Sequence, residues 1–197
     1  MINHPIEWRP NPGTLIGVAG KKGSGKDEFA KVANKHGFRQ IRFADALKGM
    51  MRFLLTYQGV DDVTAERMID GDLKESPTPY LCGKTPRHAM QTLGTEWRDT
   101  IATNLWTNIS EIKIAKLRSR GECVVVSDVR FPHEVDLIHQ LGGLVIRVER
   151  PVGRTDEGTT HISEMLIDSL DADVVIRNTG SLEHYRALVE DTLHATA

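Results

Sequence analysis

The sequence predicts a three-layer α/β/α fold, in which helices cover both faces of a central parallel sheet of five strands. Short runs rich in Val and Ile alternate along the chain with amphipathic segments, a pattern that favours parallel strands joined by right-handed crossovers. The runs are almost continuously apolar and lack the alternation of a strand with one face in water. Both faces of the sheet should therefore be covered.

Five segments are predicted as strands, with helical patterns between them. The strands are 15–19, 38–43, 123–127, 144–148 and 173–177. The helices are 27–36, 45–56, 86–101, 104–120, 132–141, 162–170 and 181–193. Two stretches interrupt this alternation. Residues 57–85 contain several Gly and Pro residues and a short charged helix near 61–67, which predicts a small insertion, and the polar residues 150–160 predict a lid.

Composition limits the classes of protein and of ligand. The chain has 197 residues, enough for a single domain (1–197) with a sizeable core. Its net charge of −2 gives no basic field that would attract a nucleic acid polymer, so free mononucleotides are the expected ligands. No segment approaches the roughly 18 apolar residues of a membrane span, and no signal-peptide pattern is present at the N-terminus. The expected location is the cytoplasm, or the host cytoplasm if the protein is phage-encoded.

A glycine-rich loop follows the first predicted strand. Residues 20–26 read Gly-Lys-Lys-Gly-Ser-Gly-Lys, which has the spacing GxxxxGK of a phosphate-binding loop, and a helix starts at Asp27. Glycines let the backbone curl so that successive N–H groups point at one anion, and the positive end of the helix adds to the attraction. Lys26 should reach the outer phosphates of ATP. The residues expected around these phosphates are Lys22, Gly23, Ser24, Gly25, Lys26, Asp27 and Glu28.

Two carboxylates are candidates for holding Mg²⁺. Asp128 follows the apolar third strand, the usual position of the carboxylate that organises Mg²⁺ beside a phosphate loop. Alternatively, it could cap the helix that starts near Pro132, because Asp is favoured at helix N-termini. Asp27 occupies the position where the motif has a metal-binding Ser or Thr. It could bind Mg²⁺ directly or through water, or it could contact a basic neighbour.

A second group of residues could bind the acceptor substrate. Asp45 starts the helix after the second strand, and it could cap this helix or face the acceptor. Lys48 lies one turn further on and could reach the same anion or be solvated. At the end of the fifth strand, Asn178, Thr179 and Gly180 could contact a purine base, or they could form a turn with a helix cap at Ser181.

The helix predicted at 86–101 carries three polar side chains at helical spacing. Arg87 and Gln91 lie on one side of it and Arg98 lies near that side, where Arg suits bidentate phosphate recognition and Gln suits a base edge. The alternative is an ordinary amphipathic helix whose polar residues are only solvated. Gly94 in mid-helix should cost about 1 kcal/mol relative to Ala, which indicates a break or the close approach of a ligand.

Three arginines follow the third and fourth strands. Arg130, Arg150 and Arg154 should lie at the carboxyl edge of the sheet, where ligands bind in open α/β folds. Arginines there can stabilise the charge on a phosphoryl group in transfer, and Arg150 and Arg154 have the positions of lid residues. A single loop arginine, by contrast, is usually a solvated charge.

Taken together, these segments resemble the bacteriophage deoxynucleoside monophosphate kinase family, among the P-loop nucleotide kinases. The matching segments are 20–27, 43–48, 91–96 and 127–132, and Asp27 after the lysine is part of the family pattern. The resemblance implies a P-loop kinase fold and ATP-dependent phosphorylation of deoxynucleoside monophosphates to diphosphates with Mg²⁺. It also implies a homodimer. Glu28 departs from the family, which often has Thr at this position.

The resemblance also implies roles for individual residues. Lys22, Gly25, Lys26 and Asp27 would hold the donor phosphates, Arg87, Gln91 and Arg98 the acceptor, and Arg130 and Arg150 would neutralise charge. Two alternatives stay open. One is another small-molecule kinase on this fold, of the dephospho-coenzyme A or phosphomevalonate type, in which Asp45 could act as a base towards a hydroxyl acceptor. The other is a nucleotide-dependent switch or binding module.

Overall fold

The computed structural model describes residues 8–151 and 166–196, which divide into two compact units. The first, here called the sheet unit, is formed by the chain up to Arg42 and from Ser110 onward. The second, here called the helical unit, is formed by Phe43–Ile109. The predicted insertion at 57–85 therefore belongs to the helical unit. Lid residues 152–160, including Arg154, and positions 162–165 of the predicted helix at 162–170 lie outside the described residues.

The sheet unit contains five parallel strands, as predicted. They are β1 (Leu15–Ala19), β2 (Phe38–Ile41), β3 (Cys123–Val129), β4 (Leu144–Glu149) and β5 (Val174–Arg177). Their order in the sheet is β2-β3-β1-β4-β5, and every neighbouring pair is parallel. The strands β2 and β3 thus lie on one side of β1, and the later strands β4 and β5 lie on the other side, so the direction in which strands are added changes at β1. A crevice for ligands is expected where the direction changes, at the carboxyl end of β1.

Helices cover both faces of this sheet. The described helices of the two units are, in chain order, α1 (Lys26–Lys35), α2 (Asp45–Tyr57), α3 (Asp62–Ile69), α4 (Pro86–Thr100), α5 (Leu105–Arg118), α6 (Pro132–Gln140) and α7 (Leu182–Thr196), with short 3₁₀ helices at Pro79–Leu81 and Ile167–Ser169. The sheet is covered by helices of the sheet unit. Ile16 and Val18 of β1 share a buried cluster with Phe29 of α1 and Tyr185 of α7. The opposite face of β1 approaches α6, because a Cβ at Gly17 would lie 3.1 Å from Ile138. The predicted three layers are confirmed.

The helical unit has its own apolar core. Residues from α2, α3 and α4 form it, among them Leu47, Leu55, Ile69 and Met90. Side chains cap two of these helices: Asp61 accepts from the N–H of Thr64 at 2.9 Å before α3, and Thr85 accepts from His88 at 3.1 Å before α4. In the described part of the chain, no helix combines the length and the hydropathy that crossing a bilayer would require.

The break suggested at Gly94 is wrong, because α4 is continuous through this residue. The close approach of a ligand stays a prediction, and the structure places a neighbouring helix close to this glycine. A Cβ at Gly94 would lie 3.1 Å from the side chain of Leu47 on α2. The carbonyl of Gly94 also accepts a hydrogen bond from the indole N–H of Trp106 at 2.9 Å. The missing side chain therefore lets α2 pack closely against α4, a tertiary gain that outweighs the weak helix propensity of glycine.

Candidate functional site

The glycine-rich loop connects β1 to α1 in a conformation that few other residues could adopt. Gly20, Gly23 and Gly25 have φ values of 153°, 75° and 115°. At Gly20 a Cβ would lie 2.5 Å from Ser24 Oγ and 2.6 Å from the carbonyl oxygen of Val148, closer than real contacts allow. The sequence has glycine where the backbone must curl, and the result is a tight turn that ends at the N-terminus of α1.

The side chain of Lys26 folds over this loop. Its Nζ donates to the carbonyl oxygens of Gly20 at 2.5 Å and Lys21 at 2.7 Å. Lys26 is also the first residue of α1, so its ammonium group lies near the positive end of the helix. Two sources of positive potential, the ammonium group and the helix terminus, are thus concentrated at one short loop. This arrangement is suited to a polyphosphate.

Two side chains from the C-terminal part of the chain support the loop. Asn178 donates from Nδ2 to the carbonyl oxygen of Ser24 at 2.8 Å, and the phenol of Tyr185 donates to that of Gly25 at 3.1 Å. Burial, and then the nearby negative charge of Glu28, raises the pKa of the Tyr185 phenol. Asn178 is therefore buried against the loop, and its contact with a purine base stays a prediction.

Ion pairs hold the start of α1 and the glycine-rich loop in place. Arg186 of α7 donates to the Glu28 carboxylate at 2.6 Å, and Lys31 lies 3.6 Å from the same carboxylate. The hydrogen bond from Arg186 holds the pKa of Glu28 below its usual range. Lys21 pairs with Asp168 at 2.5 Å. Glu28 thus links α1 to α7, while Lys22 and Asp27 are exposed at the loop and at the first turn of α1.

Asp128 lies inside β3, one residue before its end, and it does not cap α6. The residue at the N-cap of α6 is Phe131. The backbone N–H groups of Arg130 and Phe131 donate instead to Glu134, at 2.6 and 3.1 Å. The capping alternative for Asp128 is therefore wrong, because a glutamate from the first turn of α6 already accepts from this backbone.

Glu134 is buried, and its environment is unusual for a carboxyl group. Burial, and after it the charge of Asp128, raises the pKa of Glu134 to about 8 in spite of the two backbone donors. The raised pKa favours the neutral form of Glu134 near pH 7, so this buried carboxyl adds no negative charge beside Asp128.

The carboxylates on this edge fit magnesium. Mg²⁺ in nucleotide enzymes is usually held by one or two carboxylates together with water and substrate phosphates, and not by an all-protein cage. Asp128 and Asp27 are hard oxygen donors of this kind. No group of three or more His, Cys, Asp or Glu residues arranged to hold a metal ion is found in 8–151 and 166–196. The binding of Mg²⁺ by Asp128 and Asp27 stays a prediction.

The two described arginines predicted at the sheet edge follow their strands directly. Arg130 is half-buried after β3, and Arg150 is exposed after β4. Parallel strands end on the same side of a sheet, so both residues belong to the edge from which the phosphate loop leaves. Their catalytic roles stay predictions.

Within the helical unit, the predicted acceptor residues have different surroundings. Asp45 is the first residue of α2, whose N-cap is Ala44, so the capping alternative for Asp45 is wrong. Gln91 is exposed on α4, and Arg98 lies half-buried with its Nε 3.3 Å from Asp99 Oδ1. Arg87 forms an ion pair with Glu75. Their role in binding an acceptor stays a prediction.

Lys48 is part of a charged cluster that the sequence did not predict. Its Nζ donates to both carboxylate oxygens of Asp70, at 2.6 and 2.9 Å, so it is not a solvated surface lysine. Lys74 lies 3.7 Å from the same carboxylate, and its carbonyl oxygen accepts from the N–H of Arg87 at 3.0 Å. Lys74 and Asp70 fall in 57–85, a stretch that matches no motif, and no sequence signal marked them.

The sheet order and the glycine-rich loop together define the fold of the P-loop kinases. Dephospho-CoA kinase from Campylobacter jejuni has the same fold, with a TM-score of 0.52 over 92% of this chain and 96% of that chain. Only 16% of the residues are identical, so this likeness concerns the fold alone.

The sequence comparisons give the family. The family model for deoxynucleotide monophosphate kinase matches residues 84–189. A protein of Acanthamoeba polyphaga mimivirus that carries the name of a deoxynucleotide monophosphate kinase is 34% identical over 185 residues, which are 87% of this chain and 91% of that protein. The deoxynucleotide monophosphate kinase of Enterobacteria phage T4 is 35% identical over 112 residues, or 54% of this chain and 44% of that protein.

The chain belongs to the deoxynucleotide monophosphate kinase family, and it is a nucleotide kinase. The resemblance seen in its motifs is confirmed. The family match does not favour the two alternatives, a kinase for another small molecule or a nucleotide-dependent switch.

Proposed function

We propose that this protein transfers the γ-phosphoryl group of ATP to the phosphate of a deoxynucleoside monophosphate, producing ADP and a deoxynucleoside diphosphate. The observation that carries the proposal is the phosphate loop with the Lys26 ammonium group folded over it. The family membership of the chain supports the choice of acceptor. The free nucleotides, and not a nucleic acid polymer, are then the ligands.

The donor half of the reaction uses the sheet unit. The backbone of the loop and Lys26 would bind the β- and γ-phosphates of ATP, with Lys22 and Ser24 in the same loop. Asp128 and Asp27 would hold Mg²⁺, which when bound neutralises charge on the phosphate oxygens. Lys26, Arg130 and Arg150 would stabilise the negative charge that spreads over the transferred group.

The acceptor half needs recognition and no general base. A phosphate monoester is already ionised near neutral pH, so its oxygen can attack in line without losing a proton to the protein. From the sequence, the residues proposed to bind the acceptor are Asp45, Lys48, Arg87, Gln91, Arg98 and Arg154, the last of which lies outside the described residues. This would leave Asp45 a binding residue and not a base.

A single panel of acceptors tests the function. The protein is incubated with ATP, Mg²⁺ and one acceptor at a time: dAMP, dCMP, dGMP, dTMP, the matching ribonucleotides, dephospho-coenzyme A or phosphomevalonate. We expect a deoxynucleoside diphosphate to form in amounts equal to ADP. Product from dephospho-coenzyme A or phosphomevalonate alone, or ATP hydrolysis that no acceptor changes, would refute the proposal.

Two finer features, the oligomeric state and the location, complete the proposed function. We propose a homodimer, which light scattering on the purified protein would test. We also propose that the enzyme works in the cytoplasm, or in the host cytoplasm if phage-encoded, and localisation of a tagged protein in cells would test this.

A further inference from the structure

Two helices of the sheet unit have a glutamate as their third residue, and the two side chains take different directions. In α6 this residue is Glu134, which turns back and accepts from the backbone N–H groups of Arg130 and Phe131, at 2.6 and 3.1 Å. A glutamate at this position commonly folds back onto the backbone before its helix in this way. In α1 the third residue is Glu28, whose carboxylate accepts from Nε of Arg186 at 2.6 Å instead. The direction of the Glu28 side chain therefore has a cause outside its own helix.

The backbone that Glu28 would cover by folding back is the phosphate loop. The N-cap of α1 is Gly25, whose carbonyl oxygen accepts from the N–H of Phe29 at 2.9 Å. The N–H groups of the first helical turn before Phe29 point out of the helix, where phosphates are proposed to bind. A carboxylate that capped this end of α1 would be an intramolecular anion competing with ATP for the same donors.

Arg186 is held in a position that prevents this competition. It follows Tyr185, which is buried in the same cluster as Phe29 and donates to the Gly25 carbonyl at 3.1 Å. The residue next to Arg186 is thus anchored on the loop itself. Lys31 is the second cation beside Glu28, but it lies 3.6 Å away and its side chain is 70% exposed, against 45% for Arg186. Arg186 is therefore the main partner of the Glu28 carboxylate.

We infer that Arg186 is a positioning residue of the ATP site. It holds the carboxylate of Glu28 away from the phosphate loop and neutralises its charge, so that the N–H groups at the start of α1 remain available to ATP. The inference rests on the proposed function, in which ATP is the donor. Arg186 acts through Glu28 and does not need to touch the nucleotide. If the pair only joined α1 to α7, removal of either partner would disturb the loop equally.

Calorimetry on the full-length protein, with a non-hydrolysable ATP analogue and Mg²⁺, tests the inference without requiring turnover. The variants are Arg186→Met, Glu28→Gln and the double variant that carries both changes. Arg39→Met is the matched control, because Arg39 also donates from Nε to a glutamate, Glu122, at 2.8 Å. This control pair joins the start of β2 to the residue before β3, at the edge of the parallel sheet opposite to the phosphate loop.

We expect Arg186→Met to bind the analogue roughly 3- to 10-fold more weakly, because a released carboxylate competes for the helix N-terminus and repels the phosphates. The double variant should return to within about twofold of the native affinity, since the competing charge is gone. Glu28→Gln alone should bind at least as tightly as the native protein. Arg39→Met should stay within about twofold of the native protein, as is usual for an exposed ion pair.

Recovery in the double variant separates positioning from mere support of the fold. A double variant that binds as weakly as Arg186→Met would overturn the inference, because the arginine would then act without Glu28. Glu28→Gln provides a test that does not depend on the folding of Arg186→Met, and a loss of threefold or more in this variant would also overturn the inference.

The native protein separates the inference from the function on which it rests. If it binds the analogue and Arg186→Met binds equally well, the inference is wrong and the proposed function stands. If the native protein does not bind the analogue at all, the proposed function fails and the inference fails with it.

Discussion

Tyr185 of α7 donates its phenolic O–H to the carbonyl oxygen of Gly25, with 3.1 Å between the two oxygen atoms. Gly25 directly precedes Lys26, so a helix near the end of the described chain supports the loop proposed to bind ATP. Tyr185 is only 1% exposed, and the pKa of its phenol is raised, chiefly by burial. The phenol is therefore a proton donor throughout the physiological pH range.

Replacing Tyr185 with Phe should destabilise the protein by about 1 kcal/mol, because the Gly25 carbonyl loses one of its two donors and keeps only the N–H of Phe29 at 2.9 Å. The dissociation constant for an ATP analogue should rise several-fold as the loop loses its support. Urea unfolding and calorimetry measure the two effects. Tyr57→Phe is the control, since Tyr57 is 81% exposed and should tolerate the same change. Equal effects of the two substitutions would contradict this role of Tyr185.

Gly25→Ala should be far more damaging than an alanine at another glycine with positive φ. At Gly25 a Cβ would lie 2.8 Å from Asn178 Nδ2 and 2.9 Å from Tyr185 Cε1, and φ is 115°. At Gly37 φ is 88°, but no atom lies within 4 Å of the added Cβ. Backbone strain should cost about 1–2 kcal/mol at either position. Overpacking should add roughly 1–3 kcal/mol at Gly25 only.

Urea unfolding of Gly25→Ala and Gly37→Ala compares the two positions directly. Calorimetry with the ATP analogue should show lost binding for Gly25→Ala and normal binding for Gly37→Ala. Equal free energies of unfolding for the two variants would show that Asn178 and Tyr185 do not hold the loop closely.

Asp173, just before β5, should make stability depend on pH. Its carboxylate accepts from the N–H of Val145 at 2.7 Å and lies 2.9 Å from Nε2 of His139. Burial alone would raise the pKa of Asp173, but the Val145 N–H and His139 outweigh it and hold the pKa below its ordinary value. The unfolded chain thus takes up a proton at a higher pH than the folded protein. The stabilisation is complete above about pH 5 and is lost as the pH falls towards about 2.

The variant Asp173→Asn removes this charge. Near pH 7 we expect it to be less stable than the native protein by about 1 kcal/mol or less, since the carboxylate is partly screened by solvent. The difference should shrink towards zero as the pH falls from about 5 to about 2. Urea unfolding at a series of pH values measures it. A difference that stays constant across this range would mean that the charge of Asp173 contributes nothing.

The strands and the phosphate loop could be predicted because their signals are local. The apolar run at Leu15–Ala19 becomes β1 with the predicted bounds, since a buried parallel strand needs little more than continuous apolar residues. The glycine spacing of the loop was recognisable for a similar reason, because the backbone conformation at each of these positions requires a glycine. Such features need no knowledge of distant parts of the chain.

What the sequence did not predict depends on contacts between distant residues. Asn178 supports Ser24 across 154 positions, and nothing in its neighbours marks it as a partner of the loop. At Gly94, helix propensity suggested a break, but the packing of Leu47 determined the outcome. Lys74 was missed because charged residues in a stretch without periodicity resemble a solvated surface until their partners are placed.

Lys26 should be indispensable for turnover and dispensable for folding. Its ammonium group is held at the loop by the carbonyl oxygens of Gly20 and Lys21, where the phosphates of ATP are proposed to bind. Lys26→Met should therefore reduce turnover by roughly 10²- to 10³-fold or more, the usual effect of losing a group that stabilises charge in the transition state.

Lys35→Met is the control, because it removes the same charge from the exposed end of the same helix and should leave turnover unchanged. Diphosphate formation from ATP and a deoxynucleoside monophosphate measures activity, and thermal unfolding checks that both variants remain folded. Turnover above a tenth of the native rate in a folded Lys26→Met protein would remove this lysine from the mechanism.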